Sequence, residues 1–553
     1  MSKTVRFTFD GEPQTASENV SVAAALTGAG HTRLRRTDGD SARGMFCGIG
    51  VCQDCLVTID GRPNRRACMT LLEDGMTIET QVARAPLGGP APPQLKAERL
   101  SPDVLIIGGG AAGLAAGIAA RAEGADVLLL DERKVAGGQY FKQPARADAT
   151  AMDPQQADGA ALVAGARDTG VTIVAGAEVW GAFDGPEIMA STATHVYVLT
   201  PRALIVATGA YERPIMIPGW TLPGVMTVGA AQTLWRSYGA LPGKRVAIFG
   251  NGPLCAQVAL ELSKGGAEIT VLGEAAAPGW TQPRAVAAMA LSNRALAAKG
   301  AGMLAGLRRR GIAVTWRAKP LAIEESGAGL TVAYQAGKRR RQVTVDAVCL
   351  NFGFQPQNEI LRLLGASMRF DTRFEQLRPD RSEVMETSVP GVYAVGDCCG
   401  LGGAHAALVE GRIAGRAAAG GSGPTDKEIA ELSGHRRFQD ALWQVYAADP
   451  PGIERATPET LICRCEEVTC AKLDDALKAG DSDIGAIKRA TRIGMGRCQG
   501  RYCAPVLAAY LAQKQGRTLE DLSFFAPQVP IKPVDIATIA ATEALLETPP
   551  ADG

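Results

Sequence analysis

The chain has 553 residues, with 58 Lys and Arg against 57 Asp and Glu and a formal net charge of +1 at pH 7. This balance, with no basic stripe interleaved with aromatics, argues against a nucleic-acid-binding protein. At about 150 residues per domain the length predicts three or four domains. The polar start MSKTVRFTFDGEP resembles no secretory signal, and no apolar run predicts a transmembrane segment, which favours a cytoplasmic location.

Residues 1–85 predict a small β-grasp unit built around four cysteines. Alternating apolar residues at 5–9, a turn at Asp10-Gly11, a helix near 21–29 and strands at 56–61 and 76–80 give the mixed pattern. The spacing C-x4-C-x2-C-x12-C begins as in plant-type [2Fe–2S] ferredoxins. A zinc site or four buried thiols remain alternatives. The candidate ligands are Cys47, Cys52, Cys55 and Cys68.

Residues 86–100 are rich in Pro and Gly and predict a linker, after which a dinucleotide-binding unit begins. The apolar strand 104–107 is followed by Gly108, Gly110 and Gly113 in G-x-G-x-x-G spacing. These glycines allow a tight turn, close approach to a pyrophosphate and close packing of helix on strand. Asp131 ends the next strand, where an acid can hold a ribose hydroxyl.

Two further motifs resemble the flavoproteins with two dinucleotide domains, the glutathione and thioredoxin reductase superfamily. Residues 207–209 (Ala-Thr-Gly) resemble the strand end that passes near FAD, and residues 392–397 resemble the motif whose Asp binds the ribityl chain. The resemblance implies an FAD site at Gly108, Gly110, Ala112, Gly113, Asp131, Glu132, Gly138, Gln139, Thr208, Gly209, Gly396, Asp397 and Ala404.

A second dinucleotide-binding unit is predicted at residues 216–345, inserted into the FAD domain of residues 101–215 and 346–420. Its turn keeps Gly250 and Gly252, but Cys255 replaces the third glycine. Glu274 ends its second strand and would favour NAD over NADP. The site could instead hold another adenine nucleotide or serve only as a scaffold.

Reductases of that superfamily pass electrons to a C-x2-C or C-x4-C dithiol beside the flavin, and residues 101–420 carry no such pair. The vicinal Cys398-Cys399 pair is expected to pack rather than react, because a disulfide between neighbours is strained. Electrons are therefore expected to leave the flavin singly, through iron–sulfur clusters. No catalytic side chain is predicted.

After a helical linker at 421–455, residues 456–515 predict a second iron–sulfur domain. Cys463, Cys465, Cys498 and Cys503 give C-x-C-x32-C-x4-C, in which the first pair could hold one iron and the second pair the other. The pattern resembles the small helical bacterioferritin-associated ferredoxin module. That module ends in C-x2-C, so ligation by Cys503 stays open, as does zinc. The Pro-rich tail 516–553 is predicted to be extended.

The whole order of units resembles the α-type subunits of heteromeric amine and amino-acid dehydrogenases. That group includes opine oxidases, hydrogen cyanide synthase, hydroxyproline and proline dehydrogenases and sarcosine oxidase α. The C-terminal segments 463–469 and 494–503 and the strings at 137–139 and 213–225 carry the likeness over about residues 1–515. The resemblance implies an α/β flavoprotein with two dinucleotide-binding domains, an N-terminal β-grasp ferredoxin domain and a small helical ferredoxin-like domain.

The resemblance also implies cofactors and partners. FAD and two [2Fe–2S] clusters are expected, and NAD in the second unit or FMN at a subunit interface would fit the same group. The partner would be a FAD-containing β subunit similar to D-amino acid oxidase, and the acceptor a quinone or another carrier, with any membrane association through a partner. Two alternatives remain: a stand-alone NAD(P)H:acceptor oxidoreductase, and a non-enzymatic assembly or iron-storage protein with zinc at 463–503.

Overall fold

A computed structural model describes residues 3–85, 88, 90, 94–145, 153–327, 329–449, 452–481, 483–520 and 523–546. The N-terminal unit comprises β1 (Thr4–Phe9), β2 (Glu12–Ser17), α1 (Val22–Gly28), β3 (Arg35–Arg36), β4 (Ala42–Arg43), β5 (Leu56–Ile59), β6 (Arg62–Arg66) and β7 (Thr77–Thr80). Its sheet has the order β2-β1-β7-β5-β6, with β1 parallel to β7. Val5, Phe7 and Phe9 point into the core on alternate positions. The β-grasp prediction is confirmed.

The FAD-type unit begins with β8 (Lys96–Leu100), β9 (Val104–Ile107), α2 (Ala111–Ala122), β10 (Val127–Asp131), α3 (Pro154–Asp168), β11 (Thr172–Ala175), β12 (Glu178–Phe183), β13 (Glu187–Ser191), β14 (His195–Leu199), β15 (Ala203–Val206) and β16 (Ala210–Glu212). The predicted linker 86–100 was wrong at its end, because residues 96–100 form β8 and pair in parallel with β14. Residues 86, 87, 89 and 91–93 of that prediction lie outside the described residues.

The inserted unit comprises β17 (Val225–Thr227), α4 (Val228–Tyr238), β18 (Arg245–Gly250), α5 (Pro253–Lys264), β19 (Glu268–Glu274), α6 (Pro283–Ser292), α7 (Arg294–Arg309), β20 (Val314–Trp316), β21 (Ala318–Ser326), β22 (Gly329–Ala336), β23 (Arg339–Val345) and β24 (Ala347–Asn351). The parallel sheet has the order β17-β24-β18-β19-β20. The predicted boundary at 345/346 was wrong, because β24 pairs with β17 and β18 of this unit. A buried apolar strand carries no signal of which sheet it joins.

The chain returns through β25 (Phe354–Pro356), α8 (Glu359–Leu363), β26 (Met368–Asp371), β27 (Gln376–Pro379), β28 (Val392–Ala394) and α9 (Gly403–Ala418). Antiparallel pairing of β16 with β25 joins the two crossings between the units. The FAD-type sheet is parallel, in the order β11-β10-β9-β15-β28. Strands β9 and β10 are buried along their whole length, because α2, α3 and α9 pack on one face of the sheet and β12, β13 and β14 pack on the other.

The C-terminal part comprises α10 (Asp426–Val445), β29 (Leu461–Cys463), β30 (Val468–Thr469), α11 (Cys470–Lys478), α12 (Ile484–Thr491), α13 (Ala504–Gln515) and α14 (Ile536–Leu546). The prediction of an extended tail was wrong at α14. This helix packs on β8 and β14, and the Arg99 guanidinium donates to the carbonyl oxygen of Leu545 at 2.8 Å. In the described part of the chain no helix combines the length and the apolar character needed to cross a membrane.

Two helices of the FAD-type unit approach each other through glycine. A Cβ on Gly411 would lie 2.2 Å from the carbonyl oxygen of Ala112, and one on Gly415 would lie 2.1 Å from that of Ala116. Real atoms cannot approach so closely, so only glycine lets α9 lie directly on α2. This contact brings the start of α9, with its preceding Gly396-Asp397 motif, to the glycine turn before α2.

Gly415→Ala is expected to destabilise the protein by about 1–3 kcal/mol, because the added methyl group would meet the α2 backbone. Gly300→Ala in α7 is the matched control, since a Cβ there meets nothing within 4 Å. The control should be neutral or stabilising by about 0.5–1 kcal/mol. Thermal unfolding followed by circular dichroism measures both, and equal midpoints for the two variants would contradict the close α2–α9 contact.

Candidate functional site

A cavity of about 960 Å³ lies between the FAD-type unit and the inserted unit. Gly110, the N-cap of α2, makes no side-chain cap hydrogen bond, so the N–H groups of the first helical turn are available to an anion. Twelve of the predicted FAD residues line this cavity; Gly113 does not. The twelve are Gly108, Gly110, Ala112, Asp131, Glu132, Gly138, Gln139, Thr208, Gly209, Gly396, Asp397 and Ala404.

The turn before α2 suits a dinucleotide because glycines occupy it. At these positions a side chain would clash with neighbouring backbone atoms. A Cβ on Gly108, where φ is +112°, would lie 2.4 Å from the carbonyl oxygen of Ala207. One on Gly113 would lie 1.8 Å from the carbonyl oxygen of Gly108, and one on Gly138 would lie 2.7 Å from the Gly110 Cα. The backbone at these glycines around the predicted pyrophosphate position therefore carries no side chains.

The acids that end β10 and β19 make the same contacts in the two units. The Asp131 carboxylate accepts from the N–H groups of Gly109 and Arg133, each at 2.8 Å. The Glu274 carboxylate accepts from those of Gly252 and Ala276, each at 2.9 Å. Burial raises the pKa of Asp131 to about 6 and that of Glu274 to about 7, against the lowering effect of these hydrogen bonds. The repeated geometry supports the two predicted dinucleotide turns.

The second turn is covered by the end of α10. The Asn251 side-chain amide donates to the carbonyl oxygen of Tyr446 at 2.8 Å, and a Cβ on Gly252 would lie 3.6 Å from the Trp443 ring. Cys255, in place of the third glycine, is buried against Gly250. Nucleotide binding at Gly250, Gly252 and Glu274 stays a prediction.

Asp397 and Thr208 hold the backbone on the far side of the cavity. One Asp397 carboxylate oxygen accepts from the N–H groups of Gly402 and Gly403, each at 3.0 Å, and so binds the chain at the start of α9. The Thr208 hydroxyl donates to the carbonyl oxygen of Gln357. The second carboxylate oxygen of Asp397 is the one left for the predicted ribityl contact.

Glu132 lines the cavity, but two cations hold its carboxylate. Arg66 of the N-terminal unit donates at 2.7 Å and Lys532 of the C-terminal tail at 2.5 Å. Burial raises the pKa of Glu132, yet Lys532 and Arg66 together lower it to about 2. This carboxylate ties three parts of the chain together, and its predicted contact with FAD stays a prediction.

The N-terminal cysteines form two pairs, as a [2Fe–2S] cluster with two thiolates per iron requires. Cys52 contacts Cys47, and Cys68 contacts Cys55. All four are buried and free. The Cys52 N–H donates to the Cys47 sulfur at 3.3 Å. Burial raises the pKa of the Cys47 thiol, but hydrogen bonds from Cys52 and from three loop N–H groups bring it to about 7. These hydrogen bonds favour the thiolate at Cys47. Burial and Cys47 raise the pKa of Cys52, and Cys55 and burial raise that of Cys68.

The C-terminal cysteines are also brought together. Cys465 lies 3.8 Å, sulfur to sulfur, from both Cys463 and Cys498, and Cys503 contacts Cys463. A Cβ on Gly496 would lie 2.4 Å from the Cys465 sulfur, so only glycine leaves room there. Cys503 thus lies within the group despite its C-x4-C spacing. Cys470 packs in the hydrophobic core that also contains Cys463 and Cys503.

No group of three or more His, Cys, Asp or Glu side chains among the described residues is placed to hold a single metal ion. The N-terminal cysteines form two sulfur pairs, whereas in the C-terminal group Cys465 contacts both Cys463 and Cys498, and Cys503 contacts Cys463. Pairs are the arrangement that a two-iron cluster uses, with each iron held by two protein ligands. The N-terminal residues fit a [2Fe–2S] cluster, and a second cluster at the C-terminal cysteines stays a prediction.

Contacts between the two cysteine groups were not predicted. Tyr502 packs in one core with Cys47, Cys52 and Cys498, and its ring centroid lies 5.5 Å from that of Phe46. Arg464, between Cys463 and Cys465, forms an ion pair with Asp54 beside Cys55. The only signal in the sequence for this contact was that one cysteine motif contains an acid, Asp54, and the other contains a base, Arg464. Cys47 also lines the large cavity, which places the cavity and both groups in one continuous region.

Lys142, also missed, is a buried amine at the cavity wall. Only 1% of the residue is exposed, and its ammonium donates to Thr233 at 2.9 Å, Gln232 at 3.2 Å and the Gly229 carbonyl oxygen at 3.3 Å. Burial lowers its pKa to about 7, and nearby arginines add to the lowering while two glutamates oppose it. The side chain links the loop after β10 to the start of α4.

Comparisons with known proteins agree with this architecture. Residues 102–411 match the family model of pyridine nucleotide-disulphide oxidoreductase, residues 2–83 a 2Fe-2S iron-sulfur cluster binding domain and residues 457–543 a sarcosine oxidase A3 domain. The L-proline dehydrogenase structure from P. horikoshii is similar in fold, with a TM-score of 0.71 and 21% identity over 97% of this chain and 98% of that one. The chain is thus a flavoprotein oxidoreductase of the two-dinucleotide-domain class with an N-terminal 2Fe-2S domain.

The relatives define the family within that class. The A component of opine oxidase from Agrobacterium tumefaciens is 32% identical over 465 residues, which cover 79% of this chain and 91% of that component. The chain belongs to the family of this opine oxidase component. Hydrogen cyanide synthase subunit HcnA of Pseudomonas aeruginosa is 48% identical over 75 residues, covering 14% of this chain and 72% of HcnA. The predicted resemblance, including the fused ferredoxin unit, is confirmed.

Lys142→Met is expected to remove a pH dependence of stability between pH 7 and pH 10.5, the folded pKa and the ordinary value. In this range the unfolded chain binds a proton at Lys142 and the folded chain does not. The free energy of unfolding of the unmodified protein should therefore rise with pH by about 1.4 kcal/mol per unit relative to the variant, while below pH 7 the difference should be constant. Denaturant unfolding of both proteins across this range measures it; parallel curves would contradict a deprotonated Lys142.

Proposed function

We propose that the chain is the electron-transfer subunit of a flavin-dependent dehydrogenase complex that oxidises CH–NH or CH–NH2 groups. It would carry FAD and two [2Fe–2S] clusters. The observation that carries the proposal is the shared region of the three sites. Cys47 lines the cavity that the predicted FAD residues form, and Tyr502 packs in one core with Cys47 and Cys498. Substrates of the opine, sarcosine, hydroxyproline and glycine type remain candidates.

The residues of the chain suit a relay rather than substrate chemistry. FAD, when bound, accepts electrons in pairs and releases them singly to one-electron carriers. Around it the α2 N-terminus would bind the pyrophosphate, and Asp131 and Asp397 would orient the ribose and ribityl hydroxyls. The buried cysteine loop lines one wall of the cavity, so a cluster held there would be the first one-electron acceptor beside the flavin.

A partner subunit is part of this proposal. The relatives of the family are named as subunits, and no nucleophile–base constellation was predicted in the sequence. We expect a FAD-containing β subunit similar to D-amino acid oxidase to oxidise the substrate, with an FMN at the interface as a further candidate carrier. The released electrons would leave to a quinone or another carrier.

A second candidate is a stand-alone NAD(P)H:acceptor oxidoreductase. The specific observation in its favour is that Glu274 binds the Gly252 turn as Asp131 binds the Gly109 turn. Against it, Tyr446 and Trp443 at the end of α10 lie over the second turn. An adenine nucleotide bound at the second turn without taking part in electron transfer would agree with both the Glu274 contact and the cover by α10.

Mixing the purified holoprotein with NADH or NADPH under anaerobic conditions distinguishes the two candidates. We expect the flavin absorbance to stay unchanged for seconds, while dithionite reduces it completely. Adding the co-purified β subunit together with its amine substrate should then bleach the flavin. Rapid bleaching by NADH alone, lost in Glu274→Gln, would overturn the first proposal and establish the second.

Cys503→Ser is expected to halve the iron content, from about four to about two atoms per chain, because one [2Fe–2S] cluster would lose a ligand. Cys470→Ser is the matched control, since Cys470 packs in the same domain outside the sulfur pairs, and its iron content should not change. Metal analysis with EPR of the reduced protein measures both. Zinc in place of iron at the C-terminal site, or full iron in Cys503→Ser, would contradict the assignment.

A further inference from the structure

A buried ion pair joins the two cysteine motifs. Asp54 lies between Cys52 and Cys55, and Arg464 lies between Cys463 and Cys465. The Arg464 Nε donates to one Asp54 carboxylate oxygen, although the residues are 410 positions apart. The two side chains are 4% and 0% exposed. Each charge therefore lies beside one predicted cluster and, through its partner, near the other.

The surroundings fix both charges and exclude water. Arg464 donates a second bond to the Trp220 carbonyl oxygen at 2.9 Å, and its guanidinium lies 4.0 Å from the centroid of the Phe46 ring and 4.8 Å from that of Trp220. Asp54 receives a second cation, because Arg35 donates to its other oxygen at 2.6 Å. Arginine on aromatic faces and a carboxylate held by two cations are arrangements that keep a buried charge in place.

The same domains are held together without this pair. Glu467 accepts from Arg43 at 2.9 Å, from the Thr37 hydroxyl at 2.8 Å and from the Gly39 N–H at 3.0 Å. The Trp220 indole also donates to the Leu461 carbonyl oxygen at 2.8 Å. Other contacts therefore also hold the N-terminal unit in place. A change in reduction potential after a substitution in the Asp54–Arg464 pair can thus be attributed to the lost charge.

We infer that Asp54 and Arg464 form an electrostatic bridge that sets the reduction potentials of both iron–sulfur clusters. The inference rests on the two-cluster function proposed above. In that function one electron at a time would pass between the two clusters, so that one would be oxidised as the other is reduced, with no bond made or broken. The reductant is the reduced flavin, and the pair adjusts the potentials between which this electron moves.

The sign of each effect follows from charge. A reduced cluster carries one more negative charge than an oxidised one, so a nearby guanidinium stabilises it and a nearby carboxylate destabilises it. In a water-free interior these interactions are much stronger than at a surface. Arg464 raises the potentials of the clusters beside it and Asp54 lowers them, so removing the two charges separately must shift the potentials in opposite directions.

The test is an EPR-monitored redox titration of the complete holoprotein and its variants. Asp54→Asn should raise the midpoint potentials and Arg464→Gln should lower them. For the cluster nearer to the substituted residue, we expect the midpoint potential to shift by at least about 59 mV. This shift corresponds to a tenfold change in the equilibrium constant of one-electron reduction. Arg464→Lys, which keeps the charge, should restore most of the Arg464→Gln shift. Glu325→Gln, which removes a carboxylate from the exposed Arg33–Glu325 pair, should shift neither potential.

The outcomes separate this inference from the proposed function. Two cluster signals in the unmodified protein support the function, and a single signal overturns it. Where two signals are present, unchanged potentials in both variants, or shifts of the same sign, would overturn the electrostatic bridge. Loss of iron from both Asp54→Asn and Arg464→Gln would overturn it as well, because the pair would then be a structural clamp.

Discussion

The insertion of the N-terminal cysteine loop between the other units is the contact on which the arrangement depends. The Thr227 N–H at the start of α4 donates to the Phe46 carbonyl oxygen at 2.9 Å, and a Cβ on Gly48 would lie 3.0 Å from the Ala230 Cα. From the other side Arg464 reaches Asp54 in the same loop. Since Cys47 lines the large cavity, this loop separates the predicted flavin from the C-terminal cysteines and touches both regions.

Buried charges favour one docking of the units over alternative ones. Asp54 is held by Arg35 of its own unit and by Arg464, and Glu132 is held by Arg66 of the N-terminal unit and by Lys532 of the tail. A carboxylate removed from water needs such partners, and a displaced unit would leave it without them. The two carboxylates therefore disfavour alternative dockings of the ferredoxin unit. A relative of this unit, HcnA, occurs as a separate polypeptide.

The start of α4, at the wall of the cavity, is held by several contacts. The first turn of α4 is occupied by contacts to the cysteine loop and by the Glu212 carboxylate, which accepts from the Gly229 N–H at 2.9 Å. Lys142 binds the same turn through its carbonyl oxygen and two side chains. The cysteine loop and a polar network thus line this wall of the cavity.

The sequence by itself determined the kinds of unit and their local chemistry. Glycine spacing after β9 and β18, the acids Asp131 and Glu274 and the two cysteine motifs each encode a short-range geometry, and short-range geometry depends on residues close in the chain. Only the tertiary structure decided that β24 completes the inserted sheet, that the tail forms α14 and supplies Lys532 to Glu132, and that Asp54 pairs with Arg464. These contacts join segments far apart in sequence, where neither periodicity nor spacing carries a signal, and burial selects the partner only once the units have docked.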